Sequence, residues 1–114
     1  MPQRSEIIQL QNDLFRLGDP SVPGKYVLTQ GIIGLLARDQ IPLREIALLV
    51  AQFNLFTEDN DPQGEHDFGM FDFHGERCMW KIDYYDLAYH MGSEDPTDLT
   101  QTLRVLTILL ASEY

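Results

Sequence analysis

Apolar residues recur at helical spacing in three stretches of the chain and alternate in one. Over residues 5–17, Ile7, Leu10, Leu14 and Leu17 fall three and four positions apart, and Gly18 with Pro20 ends the run, which predicts a helix. Residues 18–24 are a loop by composition. Tyr26-Val27-Leu28 reads either as a short strand ending at Thr29 or as the entry to a helix over 30–37 with Thr29 as its N-cap. Gly31 and Gly34 each weaken that helix by about 1 kcal/mol against alanine, unless their missing side chains admit a close neighbour. Pro42 in a first turn, followed by Leu43, Ile46, Ala47, Val50 and Phe53, predicts a helix over 42–53, with Glu45 near its electropositive end. Residues 57–66 break all periodicity.

Residues 67–73 and 77–84 fit a β-hairpin turning at His74-Gly75, in which position i pairs with 149 − i. Phe71, Phe73, Cys78, Trp80 and Ile82 then share one face, and Gly69 opposite Trp80 leaves room for the indole. Beyond Asp95, Pro96 and Asp98, the residues Leu99, Leu103, Leu106 and Leu110 form a stripe widened by Thr102, Val105, Ile108 and Leu109. That spacing predicts a helix over 96–112 as the centre of the core. The expectation is a single α+β domain over 1–114: a central antiparallel hairpin packed against helices, including a long C-terminal helix.

Composition narrows the function more than the fold. The chain has 114 residues, 44% of them hydrophobic, enough for one core. Its net charge is −10, which disfavours direct nucleic-acid binding and attachment to an anionic membrane. Between Glu58 and Asp98 lie twelve acids against Arg77 and Lys81, while six acids balance six bases elsewhere. The whole formal charge therefore sits in mid-chain. The lone Cys78 excludes an internal disulfide, and the opening residues show no targeting signal, so a cytoplasmic protein is expected.

Three groups of residues bear candidate chemistry. Asp59, Asp61 and Asp67, spaced around Gln63-Gly64, partly imitate a calcium loop, but its twelfth position is Met70 instead of glutamate. A hard divalent cation is thus the one cofactor suggested, against a simpler role for Asp59, Asn60 and Asp61 as turn formers. Glu65-His66-Asp67 alone places imidazole beside carboxylates, and the hairpin register sets His66 opposite Asp83; these four are the candidate catalytic groups. Cys78, on the inward face, reads as inert; His74 belongs to the turn and His90 to a surface loop. Tyr84, Tyr85 and Tyr89, beside the acids Glu58, Asp59 and Glu94 of the same segment, are the candidate partner-binding residues: an apolar centre within an acidic rim.

The stretches Phe56–Pro62, Gly64–Gly69, Trp80–Asp86 and Arg104–Ala111, together with Asn12-Asp13, Phe15-Arg16 and Thr29-Gln30-Gly31, resemble an uncharacterised bacterial family, the domain of unknown function 3768. The resemblance implies a small bacterial protein often carried by plasmids or mobile elements, which suits an accessory or counter-defence role. It implies no activity and no catalytic residues. The leading expectation is therefore an acidic protein-interaction module engaging a basic protein surface. The alternative is a small hydrolase or other enzyme using His66 with nearby carboxylates.

Overall fold

A computed structural model describes residues 3–114. The first helix, α1 (Arg4–Arg16), starts after an uncapped Gln3 and ends at Leu17 and Gly18, where φ is positive. Its buried face is Ile8, Asn12, Phe15 and Arg16, while Leu10 and Leu17, two of the four positions that predicted it, point to solvent. Both readings of residues 26–37 are realised in succession. Strand β1 (Gly24–Leu28) leads into α2 (Gln30–Arg38), and the Thr29 hydroxyl between them accepts the Ile32 N–H. The last predicted helix of the first half is α3 (Leu43–Gln52), which buries Ile46 and Val50.

The hairpin of β2 (Phe68–Phe73) and β3 (Glu76–Tyr85) has the expected register, with Gly69 facing Trp80 and Phe71 facing Cys78. His74 and Gly75 both take positive φ, as a two-residue turn of this hand needs.

The predicted C-terminal helix is absent. Its residues form β4 (Leu103–Leu110) and a short 3-10 turn over Ala111–Glu113. β4 lies inside a four-stranded mixed sheet of order β1-β4-β3-β2, parallel to β1 and antiparallel to β3. A strand buried on both faces carries a nearly continuous apolar run, and such a run satisfies helical spacing by default. Leu106 and Ile108 join Cys78, Trp80 and Ile82 in the core beneath the helices, whereas Val105, Leu109 and Met79 are buried on the other face. Asp95 and Asp98 cap turns rather than a helix: their carboxylates accept the N–H groups of Thr97 and Thr100. The fold remains α+β, with the hairpin and three helices, but its centre is a strand. No described helix is long and apolar enough to cross a membrane.

Candidate functional site

The polar positions of α1 recur at helical spacing, and they organise a largely buried polar cluster. Gln9, Asn12, Asp13 and Arg16 project from one side of the helix onto the 54–67 segment and the ends of β3 and β4. Asn12, wholly buried, donates to the Glu65 carbonyl at 3.0 Å and to the Tyr84 hydroxyl at 2.8 Å. Its own Oδ1 accepts from Arg104 Nε at 2.7 Å. Arg104 is equally buried, donating through Nη2 to Gln11 Oε1 and the Pro96 carbonyl, with its guanidinium 5.1 Å from the Tyr84 ring. Removal from water lowers its pKa. Tyr84 in turn donates to Glu65 Oε1 at 3.0 Å, and burial drives its hydroxyl pKa far upward.

His66 is the second knot. It sits at positive φ, outside any strand, so the alternation that predicted its orientation does not apply. Its ring lies flat on Phe56, centroids 3.7 Å apart, with Nδ1 at 3.0 Å from Asp13 Oδ1. Nε2 lies 3.1 Å from Gln9 Nε2, whose amide also donates to the Gly64 carbonyl. That pattern assigns the ring proton to Nδ1, toward Asp13, and makes Nε2 an acceptor. Asp13 Oδ1 also accepts from Arg16 Nη2 at 2.8 Å. The rest of Arg16 caps α3, donating to the Val50 and Phe53 carbonyls at 2.7 and 2.9 Å.

The expected catalytic group is therefore only partly assembled. Glu65 neighbours the cluster through Tyr84, but Asp83 does not meet His66; it pairs instead with Lys81 at 2.6 Å. Asp13, absent from the expected set, takes that place. Its signal was available in the i, i+3, i+4, i+7 spacing of Gln9, Asn12, Asp13 and Arg16. Asp67 is half-buried, and desolvation, then the Glu65 carboxylate, raises its pKa.

The expected cation ligands do not converge either. Asp61 spends its carboxylate on the N–H groups of Glu65 and His66, at 3.1 and 3.2 Å. Asn60 closes its turn on Thr57 and Leu55, and Asp59 is exposed. Among the described residues no group of three or more histidine, cysteine or acidic side chains is placed to hold a metal ion. Cys78 is buried and free, its thiol pKa pushed up to about 11 by desolvation.

The candidate partner-binding tyrosines lie at two places. Tyr84 is turned inward, as described. Tyr85 and Tyr89 are half-buried, their rings 6.3 Å apart, and Lys25 Nζ lies 4.2 Å from the Tyr89 ring. What stands out from this end of the sheet is apolar and was not foreseen. The loop after β3 folds back on itself, with Asp86 N–H donating to the Met91 carbonyl and Ser93 N–H to the Tyr84 carbonyl. Leu87 and Met91 are 60% and 71% exposed on it. With Asp86, Gly92, Glu94 and Gln101 they line a shallow concavity of about 320 Å³.

Residues 28–113 match the model of a family described as "Protein of unknown function (DUF3768)". The chain belongs to this uncharacterised bacterial family. No curated protein and no solved structure matches it. The matched span includes Glu65, His66, Tyr84 and Arg104, while α1, which supplies Asn12, Asp13 and Arg16, precedes it.

Proposed function

We propose that this member of the family is a cytoplasmic, acidic interaction module that engages a basic protein surface through the 86–94 loop. The observation that carries this reading is the pair of exposed apolar side chains, Leu87 and Met91, around a concavity that also holds Asp86 and Glu94. An apolar centre inside an acidic rim suits a partner whose basic residues surround an apolar anchor. Two further acids of the 58–98 stretch, Glu58 and Asp59, are exposed and, like Glu94, have no hydrogen-bond or ion-pair partner among the described residues. They supply long-range attraction without a structural duty.

Chemistry at His66 has less support. Both ring nitrogens are engaged by Asp13 and Gln9, and none of the concavities described includes the ring.

The test is affinity capture from bacterial lysate with quantitative mass spectrometry, using the parent protein, a Leu87→Asp/Met91→Asp variant and a Glu58→Lys/Asp59→Lys/Glu94→Lys variant. The expected result is a basic partner retained by the parent at low salt, lost to the apolar variant, and reduced by both charge reversal and raised salt. Equal recovery with all three proteins would place the contact elsewhere.

A further inference from the structure

The sheet ends on β2, and that edge is open. Asp67 O accepts the Ile82 N–H at 2.8 Å, and the register pairs Gly69 with Trp80, Phe71 with Cys78 and Phe73 with Glu76. Bonded pairs alternate along an antiparallel ladder, so the N–H and C=O groups of Phe68, Met70 and Asp72 point away from β3. Among the described residues no backbone group pairs with them from the outer side. Edge strands are commonly blunted by proline, lysine or a bulge, and Phe68-Gly69-Met70-Phe71-Asp72-Phe73 offers only Asp72. The opposite edge, β1, is shorter and carries Lys25.

A groove of about 420 Å³ runs beside β2. Met70, Phe71 and Asp72 line one side, and Leu49, Phe53 and Leu55 the other. The groove thus mixes apolar walls with polar side chains, Gln52 and Arg77 among them, beside an unpaired backbone edge, a combination that suits an extended chain better than a helix, whose N–H and C=O groups are already used internally.

We propose that the outer edge of β2, with this groove, is a strand-addition site for an extended, lysine- or arginine-bearing segment of a partner protein. Alternate side chains of the added strand would face Leu49, Phe53, Leu55 and Phe71, and its backbone would pair with Phe68, Met70 and Asp72. The charge of the occupant follows from the surroundings. Asp72, an exposed carboxylate on the edge itself, is bridged at 3.1 Å by Arg77, which also lines the groove, so the surplus acids of this stretch are Glu58 and Asp59, both exposed, which follow Leu55 by three and four residues. A second copy of this chain would bring another net charge of −10 to the same edge, so a basic segment is favoured. The site is separate from the 86–94 loop and does not rest on the role assigned to that loop.

The probe is a fluorescein-labelled peptide of alternating valine and threonine flanked by two lysines at each end. Two further versions are N-methylated on one or the other alternate set of residues, so that one of them cannot pair with β2. Anisotropy should show binding of the parent peptide and at least about tenfold weaker binding of one methylated version. Hydrogen exchange by NMR should show about tenfold slower exchange for the Phe68, Met70 and Asp72 amides on saturation, with Gly69 and Phe71, already paired to β3, unchanged. Met70→Pro removes an outward N–H without touching the ladder and should weaken binding by at least about tenfold in a folded protein. Leu87→Asp/Met91→Asp should leave peptide affinity within about twofold, since that loop is a different surface. No binding of the parent peptide at millimolar concentration would overturn the proposal. So would equal binding of both methylated peptides, or protection confined to other amides. Protection that rises with protein concentration in the absence of peptide would identify a second copy as the occupant and overturn the partner assigned here.

Discussion

Asn12 and Arg104 show how one buried side chain can decide the fate of another. Arg104 is fully buried with no carboxylate in direct contact among the described residues, and its guanidinium donates to neutral oxygens of Asn12, Gln11 and Pro96. Asn12→Leu removes one of these and also strips Tyr84 and the Glu65 carbonyl of a donor. Leaving buried polar groups unpaired costs about 1–3 kcal/mol each, so urea melts should show a loss of at least about 2 kcal/mol. A loss below about 0.5 kcal/mol would mean that water reaches Arg104 in the folded protein. Two glycines give an opposite pair of outcomes. A Cβ on Gly69 would lie 2.5 Å from Trp80 Nε1 and 2.8 Å from Phe53, inside a packed core, so Gly69→Ala should cost about 1–3 kcal/mol. A Cβ on Gly34 meets nothing within 4 Å, and Gly34→Ala should stabilise α2 by up to about 1 kcal/mol. At this scale the sequence revealed Gly69 through its partner Trp80 and singled out His66. It marked Asp13 only through the spacing of a polar helix face, which reads as solvent-facing until something packs on it.

Elements were legible where local chemistry chose between alternatives. His74-Gly75 fixed the hairpin register, and Gly18 with Pro20 fixed the end of α1. β4 was illegible because burial on both faces erases the twofold alternation that marks a strand. The turns before it, built on Asp95 and Asp98, use the same residue types that cap helices. The 3-10 turn after β4 has its own task. Glu113 accepts from the Thr29 hydroxyl, the Gly31 N–H and the Leu110 N–H, tying the C-terminal turn to the start of α2. These bonds, the Thr29 hydroxyl first, hold its pKa below the ordinary 4.5. A depressed carboxyl contributes stability above its unfolded pKa and loses it as pH falls through the folded one. Asp67 works in the opposite sense: burial raises its pKa above the ordinary 3.8, so its contribution favours the folded state at low pH and is lost as pH rises through the folded pKa. Melts across pH 3–7 should therefore show Glu113→Gln less stable than the parent at neutral pH and converging with it in acid. Asp67→Asn should be the more stable protein at neutral pH. Identical profiles for either variant and the parent would remove that carboxyl from the linkage.

Across the whole molecule, the charge that dominates the sequence divides into two kinds of acid. Of the twelve acids between Glu58 and Asp98, eight have partners in the fold. Asp61, Asp86, Asp95 and Asp98 accept backbone N–H groups that shape loops. Glu65, Asp72, Glu76 and Asp83 meet Tyr84, Arg77, Arg38 and Lys81. Asp67 is half-buried, which leaves Glu58, Asp59 and Glu94 exposed and without a partner among the described residues. A solubilising role and a binding role for these three make the same forecast for folding and different ones for association. For folding, the triple variant Glu58→Gln/Asp59→Asn/Glu94→Gln should stay within about 0.5 kcal/mol of the parent per site, or gain slightly, because it relieves self-repulsion in a chain of net charge −10. Asp61→Ala, which leaves the Glu65 and His66 N–H groups without their acceptor, should cost about 1–3 kcal/mol. For association, the triple variant should slow the approach of a basic partner at low salt and flatten the salt dependence of that rate, while Leu87→Asp should act on the lifetime of the complex instead. Stopped-flow or surface plasmon resonance measurements on the captured partner separate the two effects. Association rates equal to the parent's at every salt concentration would show that these carboxylates steer nothing and serve only to keep the chain in solution.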